Sequence, residues 1–343
     1  MKRERLYYLD LIKIIAALCV FGCHFSRSLE ANQVGYSIKI IPDYIFNIYI
    51  GNFGVSLFFI ISGAALMYVY DERMKLWDYY KKRFMGIYPM FWMAFLIAFA
   101  ISLFRQRQII PEIPQWKIIY SILGIDGNAL WYGPNYYQLG EWFLSVLVCL
   151  YIIFPLLRWA VKKSVLVTTI VTLMIYVVCI FTFHTTLPQD CFFIIRIPEV
   201  LFGMIFIKYI KKVGNIQLIL SGSILVIIGI LPMTAINKMV ATTLVGVGSF
   251  SVLTWIFQHI PMKRLLKNLS VVCGKYCYAF FLTHHYILRW MTSRFMGCQL
   301  RKSEVIVVFF SCLCVVLCAT KLLYLLHKNV MAFMKENGII KSV

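Results

Sequence analysis

Apolar residues in this chain neither alternate nor recur on a single helical face. They run on in blocks of about twenty, and the polar and charged residues gather in the short gaps between blocks. A block of that length is what an α-helix needs to cross the roughly 30 Å hydrocarbon layer of a bilayer. Ten blocks are legible, at about 8–28, 44–70, 84–104, 141–159, 164–183, 191–209, 216–233, 239–257, 272–292 and 304–327. The expected fold is all-α: a polytopic integral membrane protein of about ten transmembrane helices, organised as one domain over residues 1–343. The second block is longer than one crossing requires, so it either tilts or begins with an interfacial turn. The first block has no small-residue cleavage pattern and is read as a retained span.

The gaps set the orientation. With the N-terminus in the cytoplasm, twenty Lys and Arg fall on the cytoplasmic side and eight on the other. The bias persists along the whole chain, so both termini are expected in the cytoplasm of a cell bounded by this (inner) membrane. The long connection at 105–140 is then extracytoplasmic. Its Trp116, Trp131, Tyr132, Tyr136 and Tyr137 read first as an interfacial belt, and second as a flat platform for sugar rings.

Composition narrows the class further. Of 343 residues, 61% are apolar and 14% charged, which excludes a disordered chain and argues against a soluble enzyme. A net charge of +20 would point to nucleic acid in a soluble protein. Here the Lys and Arg are scattered between apolar blocks, so topology explains them and no nucleic-acid partner is expected. The eleven cysteines form no CxxC pair and read as small buried hydrophobes.

Charge inside the blocks is where chemistry is sought. A charged residue at a span centre costs about 2.5–3.5 kcal/mol to insert, and such residues mark function. The first block carries Asp10, Lys13 and His24, with Arg27 just beyond. Lys13 and His24 are eleven residues apart, so they share one helical stripe about 16 Å long. That suggests a site gripping an anionic molecule at one end and doing proton chemistry at the other. A neutral imidazole at His24 can take a proton from a hydroxyl, and this reading is preferred over a packing histidine. Lys13 reads equally as a phosphate contact or as a snorkelling residue paired with Asp10. In the sixth block Arg196 and Glu199 stand three apart and are expected to form an ion pair, with a cavity-lining role second. His284 and His285 in the ninth point about 100° apart, so both are not expected to face one ligand; one facing a polar cavity is. Glu141 opens the fourth block, either as an interfacial acid or as a partner for an outer histidine or a substrate hydroxyl. HExxH is absent and no ligand constellation stands out, so no metal is expected.

These residues stand in strings that resemble the type-three membrane acyltransferase family. Tyr8 to Ala16 continuing to His24 resembles its opening, a basic residue, ten residues, then histidine. Phe58-Phe59-Ile60-Ile61-Ser62-Gly63 resembles its FFxxSG segment, and Arg83 through Ile87-Tyr88-Pro89 its basic-then-IYP segment. Trp142-Phe143-Leu144 through Tyr151, Phe154 and Pro155 resembles its WFL…Y…FP segment. Arg196-Ile197-Pro198-Glu199 with Gly203 resembles R-x-P-E…G, and Tyr278 through Leu282, His284 and His285 its late Y…L-x-H segment. The resemblance covers nearly the whole chain. Two departures stand out: Gly86 occupies the place of a commoner second arginine, and Lys13 that of a commoner arginine, losing the bidentate fork.

The resemblance implies about ten helices and transfer of an acyl group, most often acetyl from acetyl-CoA, to a glycan, a lipid-linked sugar or a small molecule. On that basis His24 is expected as general base, Lys13, Lys82 and Arg83 as contacts of the acyl donor, and Asp10, Arg27, Ser62, Glu141, Arg196, Glu199, His284 and His285 as supporting or cavity-lining residues. The expected partners are acetyl-CoA, a glycan or lipid-linked sugar and the bilayer; no oligomeric state is implied. The competing class is a glycan or lipid transporter, which ten helices with intramembrane charge would also suit.

Overall fold

The computed structural model describes residues 4–106, 113–129, 133, 136, 139–140, 142–183, 187–261 and 263–338. It is predominantly helical. The long helices are α1 (Tyr7–Ala31), α2 (Ile50–Tyr70), α3 (Leu76–Gln106), α6 (Trp142–Lys163), α7 (Val165–Thr182), α9 (Asn215–Ile230), α10 (Lys238–His259), α11 (Arg264–Thr292) and α12 (Lys302–Glu336). Short α4 (Ile118–Leu123) and α5 (Asp126–Ala129) lie in the connection after α3, and α8 (Ile197–Ile205) has nine residues. The strands are two-residue pairs only: Gly35–Tyr36 runs parallel to Gln299–Leu300, and Tyr44–Ile45 pairs antiparallel with Ile48–Tyr49.

Seven of the described helices are long and apolar enough to cross a membrane: α1, α2, α3, α6, α7, α10 and α12. The three remaining expected spans differ for identifiable reasons. The sixth is irregular. It is helical from Phe193 to Ile210 but changes type along the way: a 3-10 turn at Phe193–Arg196 leads into the short α8, with Pro198 in its first turn, and a π-turn follows at Phe206–Ile210. The seventh, α9, is sixteen residues long. The ninth is long, but α11 begins well before residue 272 and carries Arg264, Lys267, Lys275 and Arg289 among its apolar residues. The second block does begin with a turn. Phe46 and Asn47 take positive φ angles in a hairpin, and Asn47 donates to the carbonyls of Ile228, Gly229 and Leu231 that α9 leaves open at its end.

The chain folds as two compact units, each assembled from three stretches. The first comprises Met1–Cys23, Ile41–Arg73 and Ile152–Cys277. Its core joins Leu9, Ile12 and Ala16 of α1 to Leu57, Ile60 and Ala64 of α2 and to Val245 and Phe250 of α10. Lipid-spanning helices approach closely only where small residues permit it. Gly63 of α2 meets the Val200 carbonyl of α8, and Gly203 of α8 meets the Ile60 carbonyl of α2; a Cβ at either position would overlap the partner's backbone. On α7, Leu166, Val167, Met174, Val178 and Phe181 are all exposed. Such an apolar face on a soluble protein would aggregate, whereas in a bilayer it meets lipid.

The second unit comprises His24–Ile40, Met74–Tyr151 and Tyr278–Val343. Its core joins Ile87, Phe91 and Phe95 of α3, Leu144 and Val148 of α6, Ala279 and Leu282 of α11 and Leu323 of α12. Tyr88 and Trp92 donate to the carbonyls of Leu123 and Ile122, fastening α4 to α3. Farther along this connection Asp126 is fully buried and accepts a hydrogen bond from Ser121 at 3.0 Å. Burial pushes its carboxyl up to about 6, against the opposing hydrogen bond from Ser121.

Candidate functional site

Within the second unit, the end of α1 is clamped to the end of α11. The Asn32 side-chain amide donates to the carbonyls of Ser28 and Arg289 and to Thr292 Oγ1, and Thr292 in turn donates to the Ser28 and Leu288 carbonyls. This clamp fixes the register of the two helices about two turns from His24. There the histidines meet. The His24 ring lies 5.2 Å from that of His284, tilted by 58°, and 5.0 Å from that of His285, edge to face at 89°. The two α11 rings are 6.4 Å apart.

The adjacent histidines were not expected to face one partner, yet both rings lie against that of His24. The sequence offers no signal for this, because the register of α1 on α11 is set by Asn32 and Thr292, polar residues outside any recognised string. His284 is buried, and its Nδ1 lies 3.1 and 2.8 Å from the Phe280 and Phe281 carbonyls. A carbonyl only accepts, so Nδ1 carries the hydrogen. Its Nε2 is buried and has no hydrogen-bond partner among the described residues. His24 and His285 are half-buried. The Gly140 backbone, at φ +83, packs over His285, so the end of the long connection reaches this cluster. Glu141 lies outside the described residues. Arg27, about one turn beyond His24, is exposed and pairs with Glu30 at 3.3 Å.

In the first unit, Lys13 does pair with Asp10, at 3.5 Å. The same buried carboxylate accepts from Arg5 Nε at 2.8 Å, and Gly274 of α11 leaves room for that pair, since a Cβ there would sit 2.8 Å from Asp10 Oδ1. One acid between two bases leaves a positive charge over, with Lys13 still partly exposed. Lys82 and Arg83 belong to the first turns of α3 in the second unit. Lys82 is exposed; the half-buried Arg83 guanidinium sits 5.8 Å from the Tyr151 ring. Ser62 is half-buried on α2 of the first unit.

The expected ion pair of Arg196 and Glu199 is present, at 3.2 Å, with both side chains fully buried. It extends into a cluster. Arg196 Nε donates to the Asp190 carbonyl, its guanidinium faces the Phe59 ring at 5.6 Å, and Asp190 also binds Lys238 and Asn52, each at 3.2 Å. Among the described residues, no group of three or more His, Cys, Asp or Glu is arranged to hold a metal ion.

A family model described as an acyltransferase domain matches residues 6–325. The chain belongs to the type-three membrane acyltransferase family. Among curated proteins, Acyltransferase MdmB of Streptomyces mycarofaciens is 28% identical over 166 residues, which is 46% of this chain and 41% of that protein. The chain thus spans less than half the length of that relative. No solved structure matches. With seven helices of spanning length, this acyltransferase-family chain is a multi-pass membrane protein.

The strings that resembled the acyltransferase family are brought together at three places. FFxxSG and R-x-P-E…G meet through Gly63 and Gly203. The opening and late strings meet through His24, His284 and His285. The IYP, WFL…Y and late strings meet where Arg83 faces Tyr151, Tyr278 donates to the Ile87 carbonyl at 3.1 Å, and Tyr79 donates to the Tyr151 carbonyl at 2.8 Å. Family strings scattered over the sequence are therefore helix contacts as well as candidate chemistry.

Proposed function

We propose that this protein is a membrane O-acyltransferase of the cytoplasmic (inner) membrane, with about ten spans and both termini in the cytoplasm. It moves an acetyl group from acetyl-CoA, taken from the cytoplasmic side, to a hydroxyl of an extracytoplasmic glycan or lipid-linked sugar. The observation that carries this reading is the meeting of His24 with both α11 histidines in a chain of the acyltransferase family.

In the proposed step His24 takes the proton of the acceptor hydroxyl as its oxygen attacks the thioester carbonyl. The carbon–sulfur bond breaks, the acyl–oxygen bond forms, and the thiolate leaves and recovers the proton. The basic groups offered to the donor's phosphates are Lys13, with the charge that Asp10 leaves over, and separately Lys82 and Arg83. The seven helices of spanning length, the helical stretch through α8, the sixteen-residue α9 and the long α11 support a count near ten.

The test is isotope transfer. Membrane vesicles carrying the protein receive acetyl-CoA labelled in its acetyl group on the cytoplasmic side. Label appearing as an ester on glycan supports the proposal. Translocation of unmodified glycan with no label would instead make the protein a transporter.

A further inference from the structure

In the first unit, α11 begins at Arg264, about two turns before the apolar block read from residue 272. Leu265, Leu269 and Val272 recur there at helical spacing, and all three are exposed. Lys263, Arg264 and Lys267 stand exposed beside them, with Lys267 5.6 Å from the Tyr7 ring. The protein holds the opposite side, where Ser270 is fully buried and Gly274 packs on Asp10. An apolar stripe next to a basic one is the pattern of a helix segment at a membrane surface. A second basic run reaches the same end of α10. The π-turn leaves through Lys211 and Lys212, both exposed, and Gln258 near the end of α10 donates to the Lys211 carbonyl at 3.0 Å. Lys263 follows Gln258 by five residues. Just after Lys212, Ile216, Ile219 and Leu220 of α9 are exposed as well. Both basic runs therefore stand at the foot of apolar helix faces. The charge is one-sided. No Asp or Glu occurs between Glu199 and Glu304 in the sequence. Asp10 is taken by Arg5 and Lys13, and Asp71 by Lys208. Among the described residues no carboxylate pairs with Lys211, Lys212, Lys263, Arg264 or Lys267.

We propose that this surface binds the headgroup of an anionic phospholipid in the leaflet where α11 begins, with the acyl chains lying along Leu265, Leu269 and Val272. Basic residues that only set orientation need no more than water around them. Five of them gathered without an acid, at the foot of exposed apolar stripes, match a phosphodiester that is itself anchored in the bilayer. The basic groups attract its charge, and the apolar stripe accepts its chains. A zwitterionic headgroup brings its own cation to the same place and gains much less. A basic residue at a membrane surface strengthens attraction to anionic lipid by about fivefold. The site holds whether or not the protein transfers acyl groups, since none of its residues belongs to the histidine cluster or to the residues offered to the donor.

The test is photo-cross-linking of the full chain in phosphatidylcholine vesicles. A minor share of the lipid carries a photoreactive group beside the headgroup, on phosphatidylglycerol in one preparation and on phosphatidylcholine in the other. Labelled peptides are mapped by mass spectrometry. The phosphatidylglycerol probe should label residues 263–272 about tenfold more than the phosphatidylcholine probe. The triple variant Lys263→Gln, Arg264→Gln and Lys267→Gln should lose most of that preference while its unfolding temperature stays close to the parent's. In the parent itself, raising salt from about 0.1 M to about 1 M should cut the preference several-fold, a reading that needs no variant. Unlabelled phosphatidylglycerol should compete with the probe, and inorganic phosphate at matched ionic strength should not. Equal labelling by the two probes overturns the proposal. So does a preference that survives the triple substitution or high salt. Competition by inorganic phosphate as strong as that by phosphatidylglycerol would make this a site for the free ion and overturn it too. No acyl transfer is measured, so failure here leaves the acyltransferase reading as it stands.

Discussion

Arg196 with Glu199 in the first unit, and His24 with His284 and His285 in the second, are both polar groups set among apolar helices. They differ in how charge is balanced. Around Arg196 two bases, Arg196 and Lys238, face two acids, Asp190 and Glu199, and the central pair is fully buried. Around His24 no carboxylate contacts His24 or His284 among the described residues, and an acceptor nitrogen is left open. The Arg196 cluster is balanced in charge, although Arg196 Nη2, 3.9 Å from Asp190 Oδ1, is itself without a hydrogen-bond partner. On the function proposed above, uncharged and half-buried imidazoles are the groups that would exchange a proton with a substrate. Opposite charges offset much of the cost of placing polar groups in a membrane in the first case, and no such pairing is present around His24 and His284 among the described residues.

The largest expected effect tests the charge-balanced cluster. Arg196→Ala leaves Glu199 buried without its partner and is expected to lose about 3–5 kcal/mol of stability, read as a lower unfolding temperature in detergent and less inserted protein. Replacing both residues by apolar ones of similar volume should recover most of that loss. A stable but inactive Arg196→Ala protein would break the comparison, because it would move Arg196 to the chemical side.

Asp126 tests a third buried group, in the connection between α3 and α6. Its carboxyl sits at about 6, above the ordinary 3.8, so the folded protein favours the neutral form. The stability this contributes is fully present below about pH 4 and is lost as pH rises through 6. The span corresponds to about 3 kcal/mol at most. Asp126→Asn keeps the shape without titrating, so unfolding temperature across pH 4 to 7 should fall less in the variant. Parallel curves would show that the carboxyl does not titrate in that window.

Much of this was legible beforehand, in uneven ways. Long apolar blocks gave α7, α10 and α12 to within a few residues at their starts, because a lipid-facing helix announces itself by composition alone. The sixth block is helical from Phe193 to Ile210, but hydropathy does not register its change from 3-10 through α to π geometry. Arg196 and Glu199 were found as a pair because their spacing is local. Lys13 and Asp10 were likewise local, but Arg5 as a second base on the same carboxylate was not foreseen. The meeting of His24 with His284 lies beyond any local signal, since about 260 residues separate them and the clamp that aligns them uses an unremarked Asn32.

Smaller effects sharpen the contrast on α1 and α3. Lys13→Ala should raise the donor KM about tenfold, roughly 1.4 kcal/mol, with a lesser change in kcat. Stability should hardly change, because Arg5 still satisfies Asp10. An unchanged donor KM would place Lys13 with the structural ion pairs. Smallest is Gly86, in the α3 interior with nothing within 4 Å of where a Cβ would stand. Gly86→Ala should stabilise by about 0.5–1 kcal/mol without altering the donor KM. Destabilisation would mean that the glycine serves a packing role.

The most direct measurement is a paired one on His24→Ala in the same vesicles: transfer of labelled acetyl to glycan, and thermal unfolding of the inserted protein. Transfer should fall about 100- to 10,000-fold, the range for removing a general base, while the unfolding temperature stays close to the parent's. An inserted, stable His24→Ala protein that acetylates glycan at the parent rate would contradict the assignment of proton chemistry to the histidine cluster.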